Sequence, residues 1–242
     1  MGKTGGVHVE RAPAKLTVSL RITGVRPDGY HLIDAEMVTL DHGDVLTFED
    51  GDGLEVVGPY AAGVPSGEEN LVRRALAAVG RRAFVRLDKQ VPAGAGLGGG
   101  SSDAAAVLRW AGCTDLGIAA RLGADVAFCV VGGRARVTGV GEVVEPLPGA
   151  ARTFTLLIPP VPVSTPAVYR AWDALGGPVA SDGSVNDLEA AALVVAPALA
   201  EWRDRLAAAT GARPQLAGSG GTWFAEGDFA GEGRIVARTL AG

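Results

Sequence analysis

The sequence is poor in cysteine, and that scarcity excludes a good deal. Its two cysteines, Cys113 and Cys129, have neither a metal-ligand spacing nor the even, regular pattern of a disulfide framework. Both lie in apolar stretches, as ordinary buried thiols do. No long, charge-free apolar run is present to span a membrane. The start of the chain carries no apolar signal region and no arginine-rich amphipathic stretch. Basic charge is not in excess either. The formal net charge is -5, which disfavours a general nucleic-acid binder, because such proteins neutralise phosphates with basic patches. A small anionic ligand stays admissible, since one pocket can be positive on an acidic protein. Internal repeats are lacking. The expectation is a soluble cytoplasmic protein with no nucleic-acid or membrane partner; the oligomeric state is open.

What is present is material for a core. The chain has 242 residues, 48% hydrophobic and 20% charged, which suits one large domain or two modest ones and argues against disorder. Lys15 to Thr23 alternates apolar and polar residues, the strand period. Arg26-Pro27-Asp28-Gly29 signals a turn. His31 to Leu40 is extended, and Asp41-His42-Gly43-Asp44 reads as a second turn before a strand from Val45 to Glu49. Asn70 opens a helix over Leu71 to Val79, and Ala83 to Leu87 is a short strand. Further on come a short helix near Ile118 to Leu122 and a strand from Arg134 to Thr138. Pro146-Leu147-Pro148-Gly149 is the best domain boundary, dividing 1–149 from 150–242. The second part reads as a strand from Thr153 to Ile158, helices over Thr165–Leu175 and Leu188–Ala209, a strand-like Thr222 to Ala225 and a final helix over Phe229 to Leu240. The mixture is α+β, without the regular alternation of a parallel sheet.

The stretch richest in chemistry is Pro92-Ala93-Gly94-Ala95-Gly96-Leu97-Gly98-Gly99-Gly100-Ser101-Ser102-Asp103, followed at once by the helix-forming Ala104-Ala105-Ala106-Val107-Leu108. A glycine-rich loop of free N–H groups that opens a helix is an anion cradle, helped by the helix dipole. It reads as a phosphate-binding loop, most naturally for a nucleotide. Gly94 to Gly99 also fits the dinucleotide pattern G-x-G-x-x-G. That pattern needs the turn directly after a strand, whereas Asp88-Lys89-Gln90-Val91-Pro92 intervenes here. Gly2-Lys3-Thr4 ends like a Walker A loop but lacks the glycine and spacer that should precede it.

Pro-x-x-x-Gly-Leu-Gly followed by small residues and Ser101-Ser102 resembles the second motif of the GHMP small-molecule kinases. Ala12-Pro13-Ala14-Lys15 stands where that family has its first motif, and Leu216-Ala217-Gly218-Ser219-Gly220-Gly221-Thr222 where it has its third. Three motifs in order make a specific signal. Gly24-x-Arg26-x-Asp28-Gly29-Tyr30-His31, Leu122-Gly123-Ala124-Asp125-Val126 and Asn186-Asp187-Leu188-Glu189 extend the likeness over nearly the whole chain. They point to the branch that phosphorylates the 2-hydroxyl of a cytidylyl-linked sugar alcohol in non-mevalonate isoprenoid precursor synthesis. The resemblance implies an N-terminal ribosomal-protein-S5-like α/β domain, a C-terminal ferredoxin-like α+β domain, and an active site in the cleft between them, using ATP and Mg²⁺.

By that resemblance Asp125 is the catalytic base; taken alone it reads first as a helix N-cap. Lys15 is the second catalytic residue, its charge orienting Asp125 and stabilising the transferred phosphoryl group. Pro92 to Ser102 wrap the ATP phosphates, with Lys89 and Asn70 nearby, although each of those two is also an ordinary surface lysine or helix cap. Tyr30, His31 and Tyr169 match the cytidine site, where rings pack on the base and His31 meets a pyrimidine edge. Thr17 is the main departure: it stands where the family has an asparagine beside the substrate alcohol, and threonine lacks the paired amide donor and acceptor. Gly112 to Arg121 is compressed, and the chain is short for the family beyond Gly227, which implies a reduced second domain. The competing readings are a sister kinase for another alcohol and a nucleotide-binding relative without catalysis. No metal ligand is assigned.

Overall fold

The period-two alternation near the N-terminus builds two strands far longer than the usual 3–10 residues. In the computed structural model, which describes residues 6–181 and 183–241, β1 runs His8–Val25 and β2 runs His31–Glu49. The Gly2-Lys3-Thr4 segment lies outside the described residues. The two strands pair antiparallel along their length, with register shifts at Pro13/Lys15, Thr17/Ser19 and Ile22/Gly24. Such bulges twist a strand and re-aim its side chains. Two of them bracket Lys15 and Thr17.

β2 is also the spine of a six-stranded sheet. Its first half takes β5 (Arg134–Gly139) and its second half takes β4 (Phe84–Asp88). Strand β3 (Gly53–Val57) extends the sheet parallel to β4, and β6 (Val143–Pro146) forms a hairpin with β5. Four helices accompany it: α1 (Leu71–Ala78), α2 (Gly99–Trp110), α3 (Leu116–Leu122) and α4 (Val126–Val131). Helix α2 is buried along Ser102 to Leu108, so its small residues let it lie close against β1.

A second, four-stranded antiparallel sheet follows: β7 (Thr153–Leu157), β8 (Gln215–Leu216), β9 (Trp223–Glu226) and β10 (Arg234–Arg238), in the order β10-β7-β9-β8. Helices α5 (Thr165–Ala174), α6 (Glu189–Val195) and α7 (Leu199–Thr210) lie between β7 and β8. This is the α+β architecture expected. Phe154, Leu156, Phe224 and Ala237 of the second sheet share one buried cluster with Leu16, Val38 and Leu40 of the first. No helix among the described residues is long and apolar enough to cross a membrane.

Three local expectations are corrected. The turn expected at 41–44 does not form, and β2 runs straight through it. Its turn-forming Asp44 is instead buried in the sheet, accepting the N–H groups of Gln90 and Val91 at 2.6 and 2.8 Å. The helix expected over 188–209 is broken into α6 and α7, because Pro197 can neither donate its N–H nor fit a helix interior. The expected C-terminal helix is strand β10, whose Ile235, Val236 and Ala237 pair with Leu156, Thr155 and Phe154.

The connection between β9 and β10 is short. β9 and β10 both run antiparallel to β7, so residues 227–233 must carry the chain back along it without a helix. Thr155, fully buried on β7, ties this strap down. Its hydroxyl donates to the Gly227 carbonyl at 2.9 Å and accepts from the Phe229 N–H at 3.0 Å. Thr155→Val keeps the shape and removes both bonds. The expected cost is about 1–3 kcal/mol, the range for stranding buried polar groups, read as a lowered urea midpoint at constant slope. An unchanged midpoint would show that water replaces the hydroxyl.

Candidate active site

A cavity of about 580 Å³ opens between the two sheets, and Lys15 and Asp125 sit in its wall. The Lys15 ammonium is 3.1 Å from Asp125 Oδ2 and donates to Thr17 Oγ1 at 3.0 Å. The Lys15 side chain is 6% exposed and that of Asp125 31%, so the lysine is enclosed while its carboxylate partner stays open to the cavity. Asp125 does stand at the N-terminus of α4, but its side chain makes no capping hydrogen bond. The carboxylate is turned to the lysine instead. One helical turn on, burial pushes the Cys129 thiol up to about 12, so it stays a thiol and offers no nucleophile.

The glycine loop is clamped on both flanks. The Lys15 N–H donates to the Leu97 carbonyl at 3.0 Å. Gly98, at φ +67°, lies directly on the lysine stem, where a Cβ would come within 2.6 Å of Lys15 Cγ. On the other flank Thr222 donates to the Ala95 carbonyl from its N–H at 3.1 Å and its hydroxyl at 2.6 Å. Gly96, at φ +80°, leaves no room for a Cβ against the Ala217 and Gly220 carbonyls. Asn186 braces this third segment through its amide, which donates to the Leu216 and Gly218 carbonyls at 2.8 and 2.7 Å. The three motifs read from sequence therefore meet at one place. The N–H groups of Gly99, Gly100 and Ser101 open α2 and, like any first helical turn, lack intrahelical partners. Ala93, Gly94 and Gly100 are exposed beside them. Pro92 is partly exposed, whereas Ala95 and Leu97 are buried. The Ser102 hydroxyl donates to the Pro13 carbonyl at 2.6 Å.

Two expected nucleotide neighbours, Lys89 and Asn70, have partners of their own within the protein. Lys89 is 2% exposed, and its ammonium is paired with Asp44 and, at 2.8 Å, with Asp103. Burial opposes its charge, but the two carboxylates outweigh burial and raise its pKa. The group lies beneath Gly99 and supports the start of α2 from inside. Asn70 caps α1, accepting from the Val72 N–H at 2.8 Å and donating to the Pro65 carbonyl at 2.7 Å. Burial, with the Asp44 charge adding to it against Lys89, pushes the Asp103 carboxyl up to about 8. A neutral Asp103 leaves this buried cluster without net charge, which is what a site closed to water requires.

At the far end of the cavity α5 meets the start of β2. Tyr169 stacks obliquely on His31 with ring centroids 4.7 Å apart, and Trp172 meets the same imidazole edge-on at 5.5 Å. Asp173 Oδ1 is 2.7 Å from His31 Nε2. Burial, then the Asp125 charge, pushes the Tyr169 phenol up to about 12. Tyr30 is 63% exposed at the rim, with the Arg26 guanidinium 5.9 Å from its ring. Arg170 also lines the cavity, and its guanidinium makes no salt bridge or hydrogen bond among the described residues.

Of the residues expected from sequence, Lys15, Thr17, Tyr30, His31, Gly96, Asp125 and Tyr169 share the cavity wall. Arg170, Trp172 and Asp173 were not foreseen, though a signal existed for the last two: they lie three and four residues after Tyr169 on one helix, and residues at that spacing share a face. Asp44 and Asp103 had no local signal, because their partner lies 45 and 14 residues away. Among the described residues no group of three or more His, Cys, Asp and Glu could hold a metal ion alone.

The model of the GHMP kinases N-terminal domain matches residues 70–133. A 4-diphosphocytidyl-2-C-methyl-D-erythritol kinase of Paracoccus denitrificans is 38% identical, over 96% of this chain and 92% of its own. Another, of Cereibacter sphaeroides, is 39% identical over 88% of this chain and 87% of its own. A crystal structure of 4-(cytidine 5'-diphospho)-2C-methyl-D-erythritol kinase superposes with a TM-score of 0.75 at 32% identity, covering 97% of this chain and all of that one. A homoserine kinase from Cytophaga hutchinsonii, at 18% identity and a TM-score of 0.64, shares the fold.

The Asp103 carboxyl makes stability depend on pH. Its folded pKa of about 8 exceeds the ordinary 3.8, so the folded state holds the proton more tightly. The resulting stabilisation is complete below the ordinary value and is lost as pH rises through the folded one. Wild-type unfolding midpoints are therefore expected to fall between about pH 5 and about pH 8 relative to those of Asp103→Asn, which cannot titrate. Parallel profiles for the two proteins would show that Asp103 is ionised throughout.

Proposed function

Because the chain belongs to the GHMP kinases, and within them to the 4-diphosphocytidyl-2-C-methyl-D-erythritol kinases, we propose that its cleft transfers the terminal phosphoryl group of ATP to the 2-hydroxyl of 4-diphosphocytidyl-2-C-methyl-D-erythritol. The observation that carries this reading is the Lys15–Asp125 contact at 3.1 Å in the cavity wall. A hydroxyl placed beside Asp125 gives its proton to the carboxylate as its oxygen bonds to phosphorus. The bond from that phosphorus to the bridging oxygen breaks, and ADP leaves with the electron pair. Lys15 has three N–H donors. One meets Asp125 and one meets Thr17, which leaves one for the group in transfer. Charge neutralisation of this kind is the main contribution a protein makes to phosphoryl transfer.

The open N–H groups of Gly99, Gly100 and Ser101 suit the ATP phosphates, with the α2 dipole behind them. Mg²⁺ binds few protein oxygens and keeps several waters and phosphate oxygens, so the lack of a carboxylate cage fits it; the Ser101 hydroxyl and Asp125 are the available donors. When bound, it would neutralise phosphate charge. Thr17 accepts from Lys15 and keeps its own hydroxyl proton to donate to a substrate oxygen, one bond fewer than an asparagine amide offers. Tyr30, His31 and Tyr169 form the cytidine end. Arg170 stands between, a cation with no salt bridge among the described residues, and we assign it to the substrate's diphosphate. In the same reading residues 1–149 and 150–242 are the two domains, and the reaction takes place in the cytoplasm, where ATP is available.

The decisive assay is ADP release with ATP, Mg²⁺ and the cytidylyl alcohol. Asp125→Asn is expected to lower kcat roughly 10²- to 10⁴-fold, the usual contribution of a positioned base, with ATP affinity retained. Unchanged turnover would remove Asp125 from that role. A folded, ATP-binding wild type that releases no ADP would favour a sister kinase for another alcohol, with Thr17 as the determinant. Arg170→Gln is expected to raise KM for the cytidylyl substrate about tenfold, as loss of a charge-assisted hydrogen bond does, and to leave KM for ATP alone. Equal changes in both would exclude the diphosphate assignment.

A further inference from the structure

The contact between His31 and Asp173 links two segments 142 residues apart at the cytidine end of the cavity. A carboxylate only accepts hydrogen bonds, so at 2.7 Å from Asp173 Oδ1 it is His31 Nε2 that carries the proton. Tyr169 on one face and Trp172 at the edge fix the plane of the ring. The second ring nitrogen, Nδ1, makes no hydrogen bond among the described residues, and His31 lines the cavity. In a neutral imidazole protonated at Nε2, Nδ1 is an acceptor.

We propose that Asp173 is a specificity-determining positioning residue: by holding the proton on Nε2 it makes His31 Nδ1 an acceptor matched to an exocyclic amino group, so that the site takes an aminopyrimidine and rejects an oxopyrimidine. Cytosine presents a 4-amino donor where uracil presents a 4-oxo acceptor. An acceptor facing uracil's oxygen leaves two lone pairs opposed and both groups unsatisfied, and sites built around one hydrogen-bond pattern discriminate strongly on that ground. The proposal rests on the cytidine reading above and adds to it what enforces the choice of base.

Asp173→Asn is the direct test, because an amide can donate to Nε2 and so allow the proton to move to Nδ1. Two readouts separate this proposal from the reading it rests on. Long-range proton–nitrogen spectra of the ¹⁵N-histidine-labelled protein, with His31→Gln to assign the signal, report the tautomer. Calorimetry with CDP and UDP reports base choice without turnover. The expected result is an Nε2–H tautomer and a CDP preference in the wild type. In Asp173→Asn the tautomer becomes mixed and the preference falls at least about tenfold. Asp173→Glu, which restores an acceptor, is expected to recover both, with ATP binding equal throughout. A wild-type His31 protonated at Nδ1, or an undiminished CDP preference in Asp173→Asn, would overturn the proposal, as would equal affinity for CDP and UDP in the wild type. If CDP is preferred and the preference depends on Asp173, yet the cytidylyl alcohol is not phosphorylated, the kinase reading fails and the base-selection device stands.

Discussion

Everything in the cleft is arranged around the place where Lys15 is held. Its N–H is fixed to the glycine loop, its stem lies under Gly98, and its ammonium reaches both Thr17 and Asp125. One residue thus joins β1, the loop before α2 and the start of α4. Bulges on either side of the segment set its direction, and the absence of a side chain at Gly98 sets its depth. The phosphate loop and the base are positioned relative to each other because both are positioned relative to this lysine.

The chain uses a second lysine in the opposite way. Lys89 is sealed beneath α2 with Asp44 and Asp103, while Lys15 meets one carboxylate that stays open to the cavity. Two acids around one buried cation force one acid toward neutrality. One acid, half open beside one enclosed cation, keeps a face for a substrate. A motif marks Lys15 in the sequence, and nothing local marks Lys89 as buried. The difference comes from how many carboxylates the fold brings to each and how much water it leaves.

That contrast marks the limit of what could be read from sequence. Wherever information was local it was legible: the strand period of β1, the Asn70 cap, the glycine loop opening α2, the order of the three motifs. Asp125 was legible as a residue but not in its orientation, since a helix cap and a free carboxylate look alike in sequence. The burial of Lys89 was not legible because its partners come from β2 and α2. The turn expected at 41–44 came from residues that favour turns in isolation, and the sheet overrode them by giving Asp44 three donors. The C-terminal segment carries apolar residues compatible with either period, and only pairing with β7 decides for a strand. The His31–Asp173 contact depends on where α5 docks, which the chain does not announce.

The buried cluster shared by Phe154, Leu156 and Phe224 with Leu16, Val38 and Leu40 has a consequence for motion. Two units joined by polar surface swing freely, and a substrate can draw them together. Here the floor between the sheets is close-packed apolar material, and opening it as a hinge would bring those side chains into water. Adjustment is confined to parts outside that floor: the exposed ring of Tyr30, the outward crest of the glycine loop and the side chains at the rim. Little of a substrate's binding energy then goes into moving one half of the molecule against the other.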